Sequence, residues 1–428
     1  MQPLTVRQNF TWLVAGNVFY SVCQWGIIIA LAKFGSLQQV GQYTLGLAVA
    51  APVFLLANLQ LNAVVATDTR HHYSFGNYLM LRLLTTGIAL SLVTGIALAG
   101  NYSAGTRATI VVLSVMKGFD AISDIFSGLL QQRERMDRVA VAFAVNGGLS
   151  LVLVTVAAIT THDVVLAAVA SAIGSAVALL AVNAPAGTEA WKALEGIPDH
   201  VWRRAYEAFD RAKTLRLVRL AAPLGAVMFL ISLGANVPRY VIAADLGEGN
   251  VGLYSALVYT LVAGTTVISA MGQAASPRLA VRFADGDTVG FLSLLRSLLV
   301  GAVALASVTV VVAVVASRPL LTLLYRPEYA TNPGLFKLLA VASGISFIAS
   351  VLGYAMTAAR YFKLQVPLFI VSVVATSIGC LVLVPRIGVA GAAWTTILAV
   401  CIQVVGSSAI VAVALWGWRS RVNRGSRT

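Results

Sequence analysis

Runs of about twenty apolar residues recur along the chain, each closed by a short polar stretch, and a helix of that length spans the hydrocarbon core of a bilayer. The pattern predicts about twelve transmembrane helices, near residues 10–32, 42–66, 77–99, 108–130, 139–160, 164–183, 217–243, 250–274, 291–315, 335–358, 364–384 and 388–416. Loops between them are short except for 184–216. The expected fold class is therefore an all-α polytopic membrane protein. It divides into an N-terminal lobe over 1–183, a cytoplasmic linker over 184–216 and a C-terminal lobe over 217–428 that ends in a basic cytoplasmic tail.

The fourth segment breaks the apolar pattern. On a helix, Lys117, Asp120, Asp124, Ser127 and Gln131 fall within an arc of roughly 80°, and Val115, Met116, Phe119, Ile122 and Ile125 occupy the rest of the surface. A charge at a bilayer centre costs about 2.5–3.5 kcal/mol, so such a stripe faces a wet cavity or partner charges rather than lipid. Two readings follow: a Lys117–Asp120 ion pair one turn apart that holds helices together, or a translocation pathway.

In the linker, Trp202, Ala205, Tyr206, Phe209 and Ala212 recur at helical spacing, with Arg203, Arg204, Glu207, Asp210 and Lys213 between them. This predicts a basic amphipathic helix lying at the cytoplasmic headgroups, where anionic lipid attracts it.

Composition agrees with the segment pattern. The 428 residues are 59% hydrophobic and 11% charged, with a mean hydropathy of +0.86, values that exclude a soluble domain of this length. A net charge of +14 raises nucleic acid as a partner, but concentration of Lys and Arg in cytoplasmic loops explains it without one. Arg70, Arg133, Arg135, Arg138, Arg203, Arg204, Arg278, Arg282, Arg360, Arg419 and Arg421 all fall on one side of the predicted segments, against Lys33, Arg107, Arg318, Arg326 and Arg386 on the other. Both termini are thus expected in the cytoplasm. Cys23, Cys380 and Cys401 lie inside apolar segments without paired spacing, so neither a disulfide framework nor a metal site is expected. The first segment is too long for a cleavable signal.

A short repeat accompanies the division into halves. Val40-Gly41-Gln42-Tyr43-Thr44 after the first segment matches Val251-Gly252-Leu253-Tyr254-Ser255 after the seventh. An even number of crossings separates them, so the halves are expected to be parallel, pseudo-symmetric repeats with a substrate site at their interface.

Further polar groups lie in apolar segments. Arg82 stands about a turn and a half into the third, and Arg239, in Asn236-Val237-Pro238-Arg239-Tyr240, near the outer end of the seventh. Each arginine either snorkels to headgroups or presents its fork of donors to phosphate. Pro238 removes a helix hydrogen bond, which is tolerated where a helix lines a cavity. Asn17, Gln24, Asn58 and Gln60 supply uncharged groups suited either to interhelical bonding or to sugar contacts. Catalytic chemistry finds little support: His71, His72, His162 and His200 are not spaced with carboxylates as metal ligands, and the outward loops leave no room for a catalytic domain. A membrane-embedded polymerase or ligase is thereby disfavoured.

Together, Asn9-Phe10-x-Trp12, Gly16-Asn17-x-x-Tyr20, Gln24-Trp25, Leu31-Ala32-Lys33-x-Gly35, Pro52-Val53-Phe54, Asn58-Leu59-Gln60-Leu61, Thr67-Asp68 and Tyr78-x-x-x-Arg82 resemble the polysaccharide-transporter branch of the multidrug/oligosaccharidyl-lipid/polysaccharide exporter superfamily. The stretches at Asn236–Tyr240 and Pro385-Arg-Ile-Gly388-Val-Ala-Gly391 are similar to the same branch. The resemblance implies two six-helix lobes in a V around a cationic cavity, in a multi-pass protein of the bacterial inner membrane. The implied activity is export of a polyprenyl-diphosphate-linked oligosaccharide for O-antigen or exopolysaccharide assembly, without a cofactor. The implied partners are the lipid-linked glycan, membrane lipids and polysaccharide-assembly proteins. Arg82, Lys117, Arg239, Asn17, Gln24, Asn58, Gln60 and Asn236 are the residues this sequence offers to diphosphate or sugar. Asp120 and Asp124 temper the positive charge; they either set the conformation of Lys117 or take part in proton or sodium coupling. An ion-coupled multidrug exporter of the same superfamily is the alternative.

Overall fold

The computed structural model describes residues 4–68, 72–195, 210–359 and 362–425. Every regular element among them is helical. They are α1 (Val6–Phe34), α2 (Leu37–Asn58), α3 (Leu61–Thr67), α4 (Phe75–Ala99), α5 (Ala104–Gln132), α6 (Met136–Thr160), α7 (Val164–Val177) and α8 (Ala184–Glu195), with a π-helical turn, Ala178–Asn183, joining α7 to α8. Beyond residue 209 follow α9 (Arg211–Leu246), α10 (Glu248–Thr260), α11 (Val262–Ala284), α12 (Thr288–Leu324), α13 (Pro333–Ala358), α14 (Phe362–Ile387) and α15 (Val389–Gly425).

Local sequence sets the helix starts. Thr5 with Gln8 and Ser36 with Gln39 form capping boxes at α1 and α2, which satisfy amide donors that the helix itself leaves open. Ser103 and Asp163 cap α5 and α7 in the simpler way. Gly247 and Gly388 take φ of +83° and +66° at the sharp entries to α10 and α15, a conformation that costs other residues more.

By length and composition, ten spans among the described residues suit a membrane crossing, and α10 with α11, bent by 44°, makes an eleventh. The 29-residue α5 is long enough to be a twelfth; its lower hydropathy reflects the charged stripe. Two predicted segments turn out to be interrupted. The second breaks at Leu59–Gln60 between α2 and α3, and the eighth bends at Leu261. The sixth runs on through the π turn into α8 as far as Glu195, beyond its predicted end at 183. Pro238 does not break α9, which stays helical to Leu246. Of the amphipathic linker helix, Trp202, Arg203, Arg204, Ala205, Tyr206, Glu207 and Phe209 lie outside the described residues.

The chain forms two compact units, Met1–Ser232 and Leu233–Thr428, divided within α9. In the first, α1 packs on α6, α2 on α4 and α5, α4 on α5, and α7 on α5 and α6. The second repeats this pairing: α11 packs on α12 and α13, α12 on α13, and α15 on α13 and α14, and Gly234 of α9 faces Val373 of α14. The repeated tyrosines obey the same rule. Tyr43 hydroxyl lies 2.7 Å from Ser171 Oγ, and Tyr254 hydroxyl 3.3 Å from Thr396 Oγ1. Ser171 and Thr396 are each the eighth residue of their helix, α7 in the first unit and α15 in the second. The Val-Gly-x-Tyr repeat thus marks equivalent packing positions in two copies of one helical plan.

Apolar side chains are abundant on the outside, with Val300 62% and Val315 78% exposed on α12, as befits a surface solvated by lipid. Where lipid is as apolar as leucine, close packing holds the helices together. A Cβ on Gly16 would lie 2.8 Å from Ala140 Cα, so α1 and α6 touch at the backbone. Around α4, α5 and α8 a denser cluster forms from Phe75, Phe126, Trp191, Leu79 and Leu129. It fixes the helices that carry the charged residues described next.

Candidate functional site

The stripe on α5 resolves into two hydrogen-bonded groups in the N-terminal unit. In the first, Lys117 Nζ lies 3.2 Å from Asp120 Oδ2. The other carboxylate oxygen of Asp120 accepts from Asn146 Nδ2 of α6 at 3.0 Å and from Ser175 Oγ of α7 at 2.8 Å. Ser150 and Ser171 extend this network, the latter to Tyr43. Tyr20 of α1, one turn before Gln24, stands within electrostatic reach of both Asp120 and Lys117. Asp120 therefore ties three helices around one ion pair, and the pair is open, with Lys117 and Asp120 side chains 28% and 21% exposed.

The second group surrounds the interruption of α2. Leu59 and Gln60 both lie in the left-handed region, with φ of 50° and 52°, a conformation costing roughly 1–3 kcal/mol per non-glycine residue. Neither residue carries a local signal for it; neighbours impose it. Arg82 of α4 donates through Nη1 to Asn58 Oδ1, just before the break, and through Nη2 to Asp124 Oδ2 at 3.0 Å. Just after the break, Asn62 Nδ2 donates to Asp124 Oδ1 at 2.9 Å and to the Asp124 carbonyl at 2.8 Å. Gly128 lies against the Asn62 backbone, too close for a Cβ, and Gly225 of α9 packs tightly against Leu56 and Leu59.

Exposure separates the members of this group. Arg82 is fully buried, whereas the Asp124 side chain is 39% exposed. The start of α4 is held as well. Asp68, just beyond α3, accepts from the His72 and Tyr73 amides, the His72 ring and the Tyr78 hydroxyl. Burial alone would raise its pKa, but these bonds together outweigh that and hold the carboxyl below its ordinary value. Gln132 Nε2 reaches the Asp68 carbonyl at 2.7 Å, joining the α3–α4 turn to the end of α5.

The C-terminal unit holds a different arrangement. Arg239 on α9 is 8% exposed. It donates through Nε to Ser255 Oγ at 3.0 Å and through Nη1 to Asn236 Oδ1 at 2.8 Å and the Ala235 carbonyl at 3.2 Å. Its guanidinium carbon lies 6.0 Å from the ring centroids of Tyr254 and Tyr259, where the π faces favour a cation. All these partners are neutral. No carboxylate among the described residues pairs with Arg239, and its Nη2 has no acceptor among them.

Of the sequence candidates, the structure groups Arg82, Asn58 and Asp124 in one cluster, Lys117 and Asp120 in another and Arg239 with Asn236 in a third. Gln60 sits in the break itself. Asn17 is exposed on α1 and its amide returns to the Leu13 carbonyl at 2.9 Å. Sequence reasoning missed Asn62, Asn146, Ser175, Ser255 and Tyr259. Asn146 was visible as an amide inside an apolar run, but nothing in the sequence paired it with Asp120.

The helical plan is that of a known transporter class. An inward-facing multidrug resistance MATE family transporter of the MOP superfamily superposes with a TM-score of 0.67 at 15% identity, over 99% of this chain and 96% of that one. A MOP superfamily transporter from Pyrococcus furiosus gives a TM-score of 0.61 at 14% identity, over 95% of each chain. At these identities the likeness establishes the fold. Sequence supplies the rest: the model of the polysaccharide biosynthesis protein family matches residues 6–281, and the chain belongs to that family. A capsular polysaccharide biosynthesis protein of Staphylococcus aureus, CapF, is 24% identical over 391 residues, 91% of this chain and 94% of its own.

Proposed function

We propose that this chain is a flippase that carries a polyprenyl-diphosphate-linked oligosaccharide from the cytoplasmic to the outer leaflet by alternating access, for surface polysaccharide assembly. In this reading it resides in the bacterial inner membrane with both termini in the cytoplasm, beside the proteins that assemble the polymer. Family membership and the relation to a capsular polysaccharide biosynthesis protein support the pathway.

Arg239 is the observation that carries the cargo class. A buried cation normally has a counter-charge, because an isolated one in low dielectric is expensive. Arg239 has only neutral hydrogen-bond partners and two tyrosine faces among the described residues. An arriving diphosphate supplies the missing anion, and the unengaged Nη2 offers it a donor. Guanidinium suits this role because it stays charged in apolar surroundings and its planar fork matches phosphate oxygens. Ser255 and Asn236 hold the group in register. Lys117, partly exposed, adds a second cation in the N-terminal unit, with Asp120 as its resting partner. The lipid tail needs no site of its own, since the bilayer solvates it.

The test is the sidedness of undecaprenyl-diphosphate-linked glycan in cells depleted of the protein and in cells carrying Arg239→Gln at equal membrane abundance. Glycan retained on the cytoplasmic leaflet in both is the expected result. Normal sidedness in depleted cells contradicts the reading and turns attention to an ion-coupled drug exporter, in which Asp120 and Asp124 exchange cations. That alternative draws on the multidrug transporters that share the fold, but both carboxylates here already engage a basic side chain.

A further inference from the structure

We propose that Asn58 and Asp124 form a glycan subsite that reads a pair of neighbouring sugar hydroxyls, with Arg82 as the positioning residue that aligns them. This rests on the flippase reading and deepens it by joining Asn58, which sequence offered to sugar or to interhelical bonding, with Asp124, which it offered to ion coupling, in one sugar-binding pair, and by moving Arg82 from phosphate recognition to positioning.

The buried arginine is the key to the geometry. Its two Nη atoms share one carbon, and each holds a different side chain: Nη1 takes Asn58 Oδ1 and Nη2 takes Asp124 Oδ2. A planar fork of this kind brings its two acceptors side by side. Because Arg82 is fully buried, it touches no cargo; what it presents is the remaining hydrogen-bonding capacity of its partners. Asn58 Nδ2 has no acceptor among the described residues, and the Asp124 side chain is 39% exposed with carboxylate lone pairs to spare. The Gln60 side chain, two residues from Asn58, also makes no hydrogen bond among them. The result is an amide donor beside a fixed carboxylate acceptor.

Electrostatics narrow the ligand. Arg82 compensates the charge of Asp124, so the site does not call for a cation. An anion meets a carboxylate and is repelled. A neutral group that both donates and accepts fits both sides of the pair, and adjacent hydroxyls on a sugar ring have that character. The helix interruption serves this purpose: with Leu59 and Gln60 held left-handed, Asn58 on one side of the break meets Arg82 of α4 and Asn62 on the other meets Asp124 of α5. Asn62 holds the Asp124 oxygen that Arg82 does not, leaving the carboxylate oriented before any ligand arrives.

The experiment uses the purified full-length protein in nanodiscs and the total polyprenyl-lipid fraction extracted from the producing cells, which contains both glycan-bearing and sugar-free undecaprenyl diphosphate. Native mass spectrometry counts the bound species. The wild type is expected to enrich the glycan-bearing lipid over the sugar-free one by roughly 10- to 100-fold, the range of two hydrogen bonds to oriented, partly charged groups. Asp124→Asn is expected to abolish most of that enrichment. If removal of the charge from the Arg82 pair prevents membrane insertion, Asn58→Leu, which leaves that pair intact, carries the same test with a smaller loss. Undiminished enrichment in the variants overturns the subsite while leaving the flippase reading in place, as does a wild type that binds both lipids equally. A wild type that binds neither lipid overturns the flippase reading and the subsite together.

Discussion

Two arginines, one in each unit and each buried on an apolar helix, meet opposite surroundings. Arg82 faces a carboxylate and an amide, and its charge is answered on the spot. Arg239 faces a serine, an amide, a carbonyl and two aromatic rings, and no described carboxylate answers it. Both cost desolvation free energy. Only one has recovered it inside the protein, and the other is left to recover it from a ligand. The general lesson is that residue type and burial do not distinguish a structural cation from a recognition cation; the charge of its neighbours does.

The comparison breaks first if Arg82 is removed. Arg82→Gln leaves Asp124 without its cation beside a strained backbone turn and should cost about 1–3 kcal/mol, below the range for a fully buried pair because water reaches the Asp124 carboxylate. Thermal unfolding in detergent measures this, and Arg82→Gln with Asp124→Asn should regain most of the loss. If the double variant is no more stable than the single one, the two groups are not compensating each other.

Arg239→Gln should behave in the opposite way. Stability should hold or rise, because an uncompensated buried charge is lost, while export falls roughly 10- to 100-fold as a charged hydrogen bond to diphosphate disappears. A stability loss as large as that of Arg82→Gln would mean that Arg239 has an internal partner after all. Asp120→Asn comes next. It should cost about 1 kcal/mol, because the pair is partly exposed and an amide keeps some of the contacts to Asn146 and Ser175; unfolding temperature again reports it. The smallest effect belongs to the repeated tyrosines. Tyr43→Phe and Tyr254→Phe should each cost about 0.5 kcal/mol, with the first the larger, since its hydrogen bond is 2.7 Å against 3.3 Å.

How far the sequence disclosed these features depends on how local their causes are. Apolar runs follow from composition along a single helix, so the helical plan and the charged stripe of α5 were legible. The Val-Gly-x-Tyr repeat foretold the matching positions of Tyr43 and Tyr254 because those residues serve the same packing role twice. The interruption at Leu59–Gln60 was not legible: no glycine or proline marks it, and the contacts that force it come from Arg82, Asp124, Gly128 and Gly225, all distant in sequence. For the same reason Arg82 and Arg239 looked alike in the sequence. Their difference lies in partners such as Asp124 and Tyr259, whose pairing depends on the register between helices.

The most direct measurement is the affinity of undecaprenyl diphosphate for the protein in nanodiscs, compared among wild type, Arg239→Gln and the Arg82→Gln/Asp124→Asn pair. Loss of roughly 10- to 100-fold in Arg239→Gln, with affinity retained in the charge-neutral pair, is the predicted result. The reverse order, with Arg239→Gln binding normally and the neutralised pair failing, would contradict the assignment of Arg239 as the seat of the diphosphate.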